Sequence, residues 1–546
     1  MPSSKNPLLK AIHKAFVLSK VNREPDSPGI EELYNQVEIA RREYNRRKFI
    51  GDVSKAAMFA GLSTLLPGCV KEELISQQEE LALAKGKPGA PLPVIAIVGG
   101  GLAGLNCAYQ LKKRGITSTI YEGSDRTGGR VLTRQNFIAS GTYTELGGEF
   151  IDTGHKNMRD LASEFGLPLL DTASSAESNY LNDTFFIDGQ HYTELQIIEA
   201  FDAYASTIAG DVQSLPTNFT FENYTPAVQQ FDSISISQYF DNIGLPSSSF
   251  LRKGLEQAYL TEYGREVNDQ TAINFLFLFT INPGNANYDI FGLSDERFKV
   301  QGGNQQIPDA LANNLQGQIQ LNRKLIKVSM NSSGKYVLQF QTGANVTADI
   351  CVLTLPFTLL RLVNLSELNL PSWKTNAIQN LGYGTNAKLL LGFSGKKWRD
   401  YGHSGGVFSN GTGNGSTQFI QTGWDNSRMQ NGSNGGYTVY QGGNQGSNLS
   451  LNQANTMLSH LNAMWPGTAA QYNGISKLVH WPSHPWSLAS YACWRVGQVT
   501  TMMGAEGKKV GNLYFAGEHT SLWFQGYMEG AAETGDSVAK QISLAI

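Results

Sequence analysis

Gly99, Gly101 and Gly104 stand in the order G-x-G-x-x-G, directly behind an apolar run at 94–98 and ahead of apolar residues at helical spacing that continue to Gly115. The first glycine of such a set permits a tight turn, the second lets backbone approach a pyrophosphate, and the third lets the helix pack close on the strand. A helix that begins there turns its free N–H groups and partial positive charge toward the phosphates. Glu122 closes a second expected strand, 116–121. It lies about twenty residues past the turn, where a carboxylate accepts from ribose hydroxyls. In that company an ordinary strand-end carboxylate is the weaker reading. Lys388, in GTNAKLLLGF, lies between apolar positions of an expected strand. Facing a pocket it would handle protons or assist oxygen; facing out it would be a surface cation, and Leu389 and Leu391 leave the facing open. Asp152, in GEFID, is either a turn residue before Thr153 and Gly154 or an acid that attracts a cation. Neither an H-E-x-x-H motif nor a Ser/His/Asp order occurs, and His519 in AGEHTS reads as packed rather than as a base. The four cysteines, at 69, 107, 351 and 493, lack ligand spacing, so neither a metal site nor a disulfide framework is expected.

The elements that must position these residues belong to a chain of 546 residues with 43 basic and 46 acidic side chains and a formal charge of −3. Domains run to about 100–200 residues, so two domains, sequential or interleaved, are expected. The near-neutral balance excludes nucleic acid as a partner, because phosphate recognition needs a basic face. Charged residues at 16%, aromatics at 10% and 58 glycines exclude bulk disorder and coiled coil and suit a loop-rich globular enzyme. The Gly, Asn and Ser-rich tract at 401–450 reads as a loop-rich segment. No run of about twenty apolar residues occurs, so no spanning helix is expected. At 45–70, however, Arg46 and Arg47, an apolar run from Ala56 to Leu66 and the box Leu66-Pro67-Gly68-Cys69 resemble a twin-arginine export signal with a lipoprotein cysteine. Export, to the periplasm or to a lipid anchor at Cys69, is the expectation. The alternative is a cytoplasmic protein with a helical N-terminal arm, since Leu8, Leu9, Ile12 and Phe16, and again Leu33, Val37 and Ala40, recur at helical spacing. Residues 72–93 read as a linker.

Beyond Glu122 the chain reads GSDRTGGRVLT and then, from Thr144, TELGGEFIDTG. With these blocks it resembles the flavin-containing amine oxidase superfamily over essentially 94–542. The resemblance implies that Gly129 and Arg130 pass the FAD pyrophosphate, and that Gly147 and Gly148 bring backbone close to the isoalloxazine ring. A block at 296–328 implies a main-chain contact from Leu325 to adenine, and CVLTLP at 351–356 looks like the strand leading back to the cofactor. The last block, from Asn512, implies Gly517 and Glu518 at the ribityl and phosphate region and backbone near Met528 at the pyrimidine end of the ring, where a helix dipole stabilises negative charge. By the same resemblance Lys388 holds a water against flavin N5, and Tyr491 and Tyr527 form the aromatic cage that guides an amine to the ring. The family's flavin-attaching cysteine precedes the first cage tyrosine; Ser490 holds that place here, which implies noncovalent FAD, and Cys493 lies on the other side. Phe150 and Asp152 are the substrate-side candidates, Asp152 falling where plant-type polyamine oxidases carry an acid for a cationic substrate. The arginine that clamps a carboxylate in snake-venom-type L-amino-acid oxidases is missing at this element, where Phe150 and Ile151 stand. Arg252, Arg265 and Arg495 are substitutes that the sequence does not place near the ring.

The implied fold class is α/β, a two-domain flavin amine oxidase fold with a Rossmann-type FAD-binding domain and a substrate domain of mixed sheet plus helices. Its expected division is a leader or arm with linker at 1–92, FAD-binding segments at 93–165, 296–372 and 484–546, and substrate segments at 166–295 and 373–483. The implied activity is oxidative deamination with O2. An L-amino-acid oxidase yielding 2-oxo acid, ammonia and hydrogen peroxide is narrowly favoured over a monoamine or polyamine oxidase. A flavoprotein or desaturase without oxidase turnover is the remote alternative. The expected partners are thus a small amine or amino acid and O2, with a homodimer left open.

Overall fold

The computed structural model describes residues 7–22, 29–43, 92–174, 176–177, 179–279, 295–413 and 418–546. The apolar run behind the glycine set forms strand Ile95–Val98, buried along its whole length. It lies at the centre of a five-stranded sheet ordered Leu513–Phe515, Ile350–Leu353, Ile95–Val98, Thr119–Tyr121 and Ile319–Gln320. Every pairing in it is parallel, so both faces must be covered, and Ile95–Val98, Ile350–Leu353 and Leu513–Phe515 are apolar and buried throughout rather than alternating. One cover is the helix pair Leu102–Lys113 and Met528–Ala545. These approach so closely that a Cβ on Gly535 would sit 2.4 Å from the Ala103 carbonyl oxygen, and Asn106 Nδ2 donates to the Ala532 carbonyl at 2.7 Å. Strands from three distant parts of the chain thereby bring their C-terminal ends to one edge, the usual ligand position in an open parallel sheet.

A second, mixed sheet of seven strands runs in the order Tyr472–His480, Ala387–Phe393, Gly435–Gln441, Thr422–Asp425, His403–Ser409, Leu181–Ile187 and Gln190–Tyr192. Only His403–Ser409 and Leu181–Ile187 pair in parallel. Three of these strands come from the tract read as loop-rich, and packing explains the difference. Tyr437 and Val439 alternate into the core of this sheet, while the glycines serve close approaches. A Cβ on Gly423 would sit 2.7 Å from the Tyr437 ring, and one on Gly436 would sit 2.0 Å from both Asn426 Oδ1 and Ile138 Cδ1. Glycine-rich composition here marks crowded strands rather than open loops.

Two helices, Pro7–Asn22 and Ile30–Glu43, occupy the N-terminal region. Leu8, Ile12 and Phe16 are buried in the main core, where Phe16 meets Phe279 at 4.8 Å between ring centroids, and Leu33 and Val37 pack against it half-buried. Lys14 Nζ pairs with Glu194 Oε2 at 3.0 Å, at the start of helix Glu194–Ser214. The twin arginines and Cys69 lie outside the described residues. Among the described residues no helix is long and apolar enough to cross a membrane.

Candidate active site

A cavity of about 580 Å³ opens along the C-terminal edge of the parallel sheet and continues to the face of the mixed sheet. At its nucleotide end Gly99 has φ +110°, and a Cβ there would meet Thr354 Oγ1 at 2.4 Å. Gly104 does not line the cavity; a Cβ on it would strike the Gly99 carbonyl oxygen at 2.0 Å, so its lack of a side chain lets helix and strand touch. Gly101 and Gly129 face one another across a slot, with Gly129's absent Cβ 3.3 Å from Gly101 Cα. Glu122 is fixed by two backbone donors, Gly100 N at 2.6 Å and Ser124 N at 2.8 Å, one to each carboxylate oxygen. A carboxylate has about four acceptor sites, so ribose hydroxyls can still be received. Leu325 and Arg323 line the same end.

In the middle, Arg130 Nη1 donates to Glu518 Oε1 at 2.9 Å, while Glu518 Oε2 accepts from Gly526 N at 2.9 Å. The GGR loop and the last block are thus tied together by a charge-assisted bond beside the cavity. Gly517, at φ +139°, turns strand Leu513–Phe515 into that contact. Gly147 and Gly148 form the adjacent wall: a Cβ on Gly147 would sit 1.8 Å from the Arg130 carbonyl oxygen, and one on Gly148 2.8 Å from Met528 Cγ. Met528 opens helix Met528–Ala545 and lines the cavity, so the helix N-terminus faces it. A fixed carboxylate, a slot between glycines, an arginine and a helix N-terminus in line fit an extended dinucleotide such as FAD.

The far end is aromatic. Leu389, Leu391 and Phe393 of strand Ala387–Phe393 point into the mixed-sheet core, which turns Lys388 to the opposite face and into the cavity. Its Nζ donates to the Gly147 carbonyl at 2.8 Å, to the Glu145 carbonyl at 3.2 Å and to Glu149 Oε2 at 3.3 Å, and lies 5.3 Å above the Trp424 ring. Glu149 Oε1 has Lys299 Nζ at 3.7 Å and accepts no hydrogen bond. A buried Lys–Glu–Lys series therefore stands against the glycine wall. Burial, reinforced by the Glu149 charge, pushes the neighbouring Glu145 carboxyl up to about 7.

Tyr491 and Tyr527 both line this end and are buried or nearly so. Tyr491 donates to the Glu262 carbonyl at 2.6 Å and shares a 3.0 Å contact with the Tyr440 hydroxyl; Tyr527 donates to Glu262 Oε1 at 3.0 Å. Burial, then the Tyr440 and Glu262 charges, hold the Tyr491 phenol well above its ordinary range, so it stays neutral. Phe150 completes the wall edge-on to Trp424 at 5.7 Å. Ser490 Oγ donates to Asn386 Oδ1 at 2.7 Å, and Cys493 is buried outside the lining, its thiol pushed up to about 12 by burial.

The structure does not bring Asp152 into the lining. Its Oδ1 accepts from the Glu296 N–H at 2.8 Å and its Oδ2 lies 3.3 Å from His155 Nε2, while Glu296 itself lines the cavity. His519 is buried edge-on against Phe357 at 4.5 Å, and burial holds its ring neutral. Arg252 pairs with Asp241 at 2.9 Å and Glu256 at 2.6 Å, Arg265 pairs with Asp269, and Arg495 pairs with Asp269 at 2.9 Å; none lines the cavity. Sequence reasoning missed Glu149, Glu296, Trp424, Tyr440 and Trp481. The period-two pattern of GGYTVYQ signals the strand that carries Tyr440, whereas single acids at 149 and 296 carry no pattern.

Residues 102–543 match the model of the flavin containing amine oxidoreductases. Relatives include a probable flavin-containing monoamine oxidase A of Dictyostelium discoideum, 22% identical over 82% of this chain and 97% of its own length. An L-amino acid oxidase of Bothriechis schlegelii is also 22% identical, over 83% of this chain and 90% of its own length. The solved structure of cyclohexylamine oxidase from Brevibacterium oxydans superposes with a TM-score of 0.70 at 19% identity, covering 83% of this chain and 99% of that one. At that identity the structural likeness is one of fold.

Proposed function

The chain belongs to the flavin-containing amine oxidoreductases, and from that premise we propose that it oxidises a primary amine lacking an α-carboxylate, using noncovalently held FAD and O2. The observation that carries this reading is the charge of the aromatic end. An amino-acid substrate needs a cation for its carboxylate, and among the described residues Lys388 is the lining cation there, already engaged by two carbonyls and Glu149. The three arginines that could have replaced a clamp are neutralised elsewhere by Asp and Glu. Carboxylates are plentiful instead, with Glu149 and Glu296 in the lining and Glu262 behind Tyr527. These charges favour an amine over the amino acid that the sequence blocks suggested.

Bound flavin supplies the acceptor for the hydride leaving the carbon beside the nitrogen, and O2 takes the electrons onward to give hydrogen peroxide. The residues of the chain bind, orient and exclude water. Tyr491 and Tyr527 present rings whose hydroxyls turn back toward Glu262, leaving aromatic faces and edges to hold an uncharged amine. Phe150, Trp424 and Tyr440 keep the wall around it apolar. Lys388 places its Nζ beside the glycine wall, where negative charge develops when oxygen is reduced. Ser490 in the place of an attaching cysteine supports a noncovalent cofactor. The test is anaerobic bleaching of the yellow protein. Butylamine or phenethylamine should reduce it and leucine or phenylalanine should not; bleaching by the amino acids alone would overturn the reading.

A further inference from the structure

Helix Pro7–Asn22 precedes a segment whose sequence resembles an export leader, yet it is seated as core. Leu8, Ile12 and Ala15 are fully buried, and Phe16 and Leu18 nearly so, all within the main core. The helix lies along Glu194–Ser214 and touches helix Phe250–Tyr263 and strands Leu181–Ile187 and His403–Ser409. Its polar side is fastened too. Buried Lys14 pairs with Glu194 Oε2 at 3.0 Å, the same oxygen accepts from the Tyr34 hydroxyl at 3.1 Å, and Lys14 Nζ lies 4.4 Å above the Tyr34 ring, so helix Ile30–Glu43 is held at the same point. The body is shaped to receive this arm. Gly254 stands in the interior of helix Phe250–Tyr263, where glycine weakens a helix, and a Cβ there would come within 2.9 Å of Leu8 Cδ2 and 3.2 Å of Ile187 Cδ1.

Helix Phe250–Tyr263 is also the element that fixes the two cavity tyrosines. In its last turn the Glu262 carbonyl accepts from the Tyr491 hydroxyl at 2.6 Å, and Glu262 Oε1 accepts from the Tyr527 hydroxyl at 3.0 Å. A run of ring contacts joins that turn to the arm. Phe16 meets Phe279 at 4.8 Å between centroids, Phe279 meets Phe275 at 5.1 Å, and Phe275 meets Tyr259 at 5.2 Å, while the Tyr259 hydroxyl donates to the Phe275 carbonyl at 3.2 Å. Close-packed rings pass a displacement on, because a core has little slack to absorb it. A leader is discarded, whereas lifting this helix would bare Phe279, Ile187 and the Gly254 face to water. We propose that residues 7–43 stay bound to the body in the working protein, whether or not the chain is cut at the leader-like segment, and brace helix Phe250–Tyr263 so that Glu262 holds Tyr491 and Tyr527 in place. The arm is thus a positioning segment of the substrate site. The proposal goes beyond the amine reading and takes from it only that both tyrosines line the cavity.

The test uses the full chain, expressed with a C-terminal tag in a bacterium that has the twin-arginine route. Native and denaturing mass spectrometry first ask whether the arm stays. The native mass should include residues 7–43, on one chain or as a separate piece released only on denaturation; a folded body that lacks them overturns the proposal. Hydrogen exchange then compares the FAD-loaded parent with Ile12→Leu, Phe16→Ala and Ile12→Asp. Phe16→Ala and Ile12→Asp should raise exchange about tenfold or more in helix Phe250–Tyr263 and around Tyr491, while strands Ile95–Val98 and Ile350–Leu353 stay within about twofold of the parent and Ile12→Leu changes neither region. In the two disruptive variants anaerobic reduction of the flavin by butylamine should slow roughly tenfold with flavin content kept, part of the hundredfold that a 1 Å misplacement costs. If Ile12→Asp does not fold, Phe16→Ala decides. Unchanged exchange at 250–263 in Phe16→Ala, or a rise that is equal throughout the molecule, overturns the bracing role. If butylamine does not reduce the parent, the amine reading falls, and the exchange pattern still judges the arm.

Discussion

Replacing Lys388 with methionine removes an ammonium that lies 3.3 Å from Glu149 and keeps the approximate length of the side chain. At that separation and an effective dielectric of about 20 the pair attracts by roughly 5 kcal/mol, most of which offsets the cost of holding both charges out of water. Glu149 would be left with Lys299 at 3.7 Å and no hydrogen-bond donor on either oxygen, apart from water admitted to the cavity. Stranding one member of a buried pair costs about 3–5 kcal/mol, and because this cavity can admit water the lower figure applies. Lys388→Met should therefore lower stability by about 3 kcal/mol in urea unfolding of the FAD-loaded protein. Adding Glu149→Gln, which discharges the partner, should recover about 2 kcal/mol of that, a coupling that two independent sites would not show. In stopped-flow mixing of the reduced protein with oxygen, Lys388→Met should slow reoxidation roughly a hundredfold, the usual effect of losing one preorganised charge donor. Reduction by amine should change much less. Additive stabilities would refute the Lys388–Glu149 pair, and unchanged reoxidation would refute Lys388 as the group that assists oxygen.

Glu122→Ala should release flavin on gel filtration, because it removes both the ribose acceptor and the anchor of Gly100 N and Ser124 N; full flavin retention would remove Glu122 from the nucleotide site. Gly147→Ala should give a colourless or misfolded protein, since its Cβ meets a backbone oxygen at 1.8 Å, and a yellow variant with parental stability would show that the wall can yield. Tyr491→Phe should keep flavin and slow its reduction by amine less than Tyr491→Ala does, as the ring face rather than the hydroxyl meets the substrate; equal losses would assign the role to the hydroxyl. The Glu145 carboxyl is raised from 4.5 to about 7 by burial, so the folded state holds its proton where the unfolded state has lost it. Its contribution to stability is present below about pH 4.5 and is lost as pH rises through about 7, by roughly 1.4 kcal/mol per unit at most, and Glu145→Gln should flatten that slope in urea titrations between pH 5 and 7.5.

The cofactor half of the molecule was legible because its chemistry constrains backbone. A slot for a pyrophosphate must be made from residues without Cβ atoms, and Gly99, Gly101, Gly129, Gly147 and Gly517 therefore stand out as glycines at fixed offsets from strands and helices. The parallel sheet follows from the same logic, since 94–98 and 350–353 are uninterrupted apolar runs and 116–121 is a short β-branched segment ending at Glu122. The tract at 401–450 was illegible for the opposite reason: crowding in the mixed sheet selects glycine inside its strands, where composition alone reads loop. The N-terminal helices were legible as a 3.6-residue period in Leu8, Ile12 and Phe16, but the depth to which they are buried depends on partners near 194–279 that no local pattern reveals.

Substrate selection left no comparable trace because it depends on where a few charges end up after folding. Asp152 and Glu296 are far apart in the chain, and they meet in the fold, where Asp152 Oδ1 accepts from the Glu296 N–H beside the backbone exchange between Ile151 and Phe298. Each acid alone is an ordinary surface residue by type, and a resemblance that carries a role to one column of a motif transfers the column without knowing which neighbouring acid reaches the cavity. The same holds for the arginines: Arg252, Arg265 and Arg495 had the right chemistry for a carboxylate, and only their pairing with Asp241, Glu256 and Asp269 removes them from the site. A bound group needs geometry and spare charge together, and spare charge is a property of the folded neighbourhood. The two cavity tyrosines occupy the same intermediate position. Tyr491 and Tyr527 could be named from their blocks, yet their orientation is fixed by Glu262, whose carbonyl and carboxylate hold both hydroxyls from the end of a helix that no motif marks.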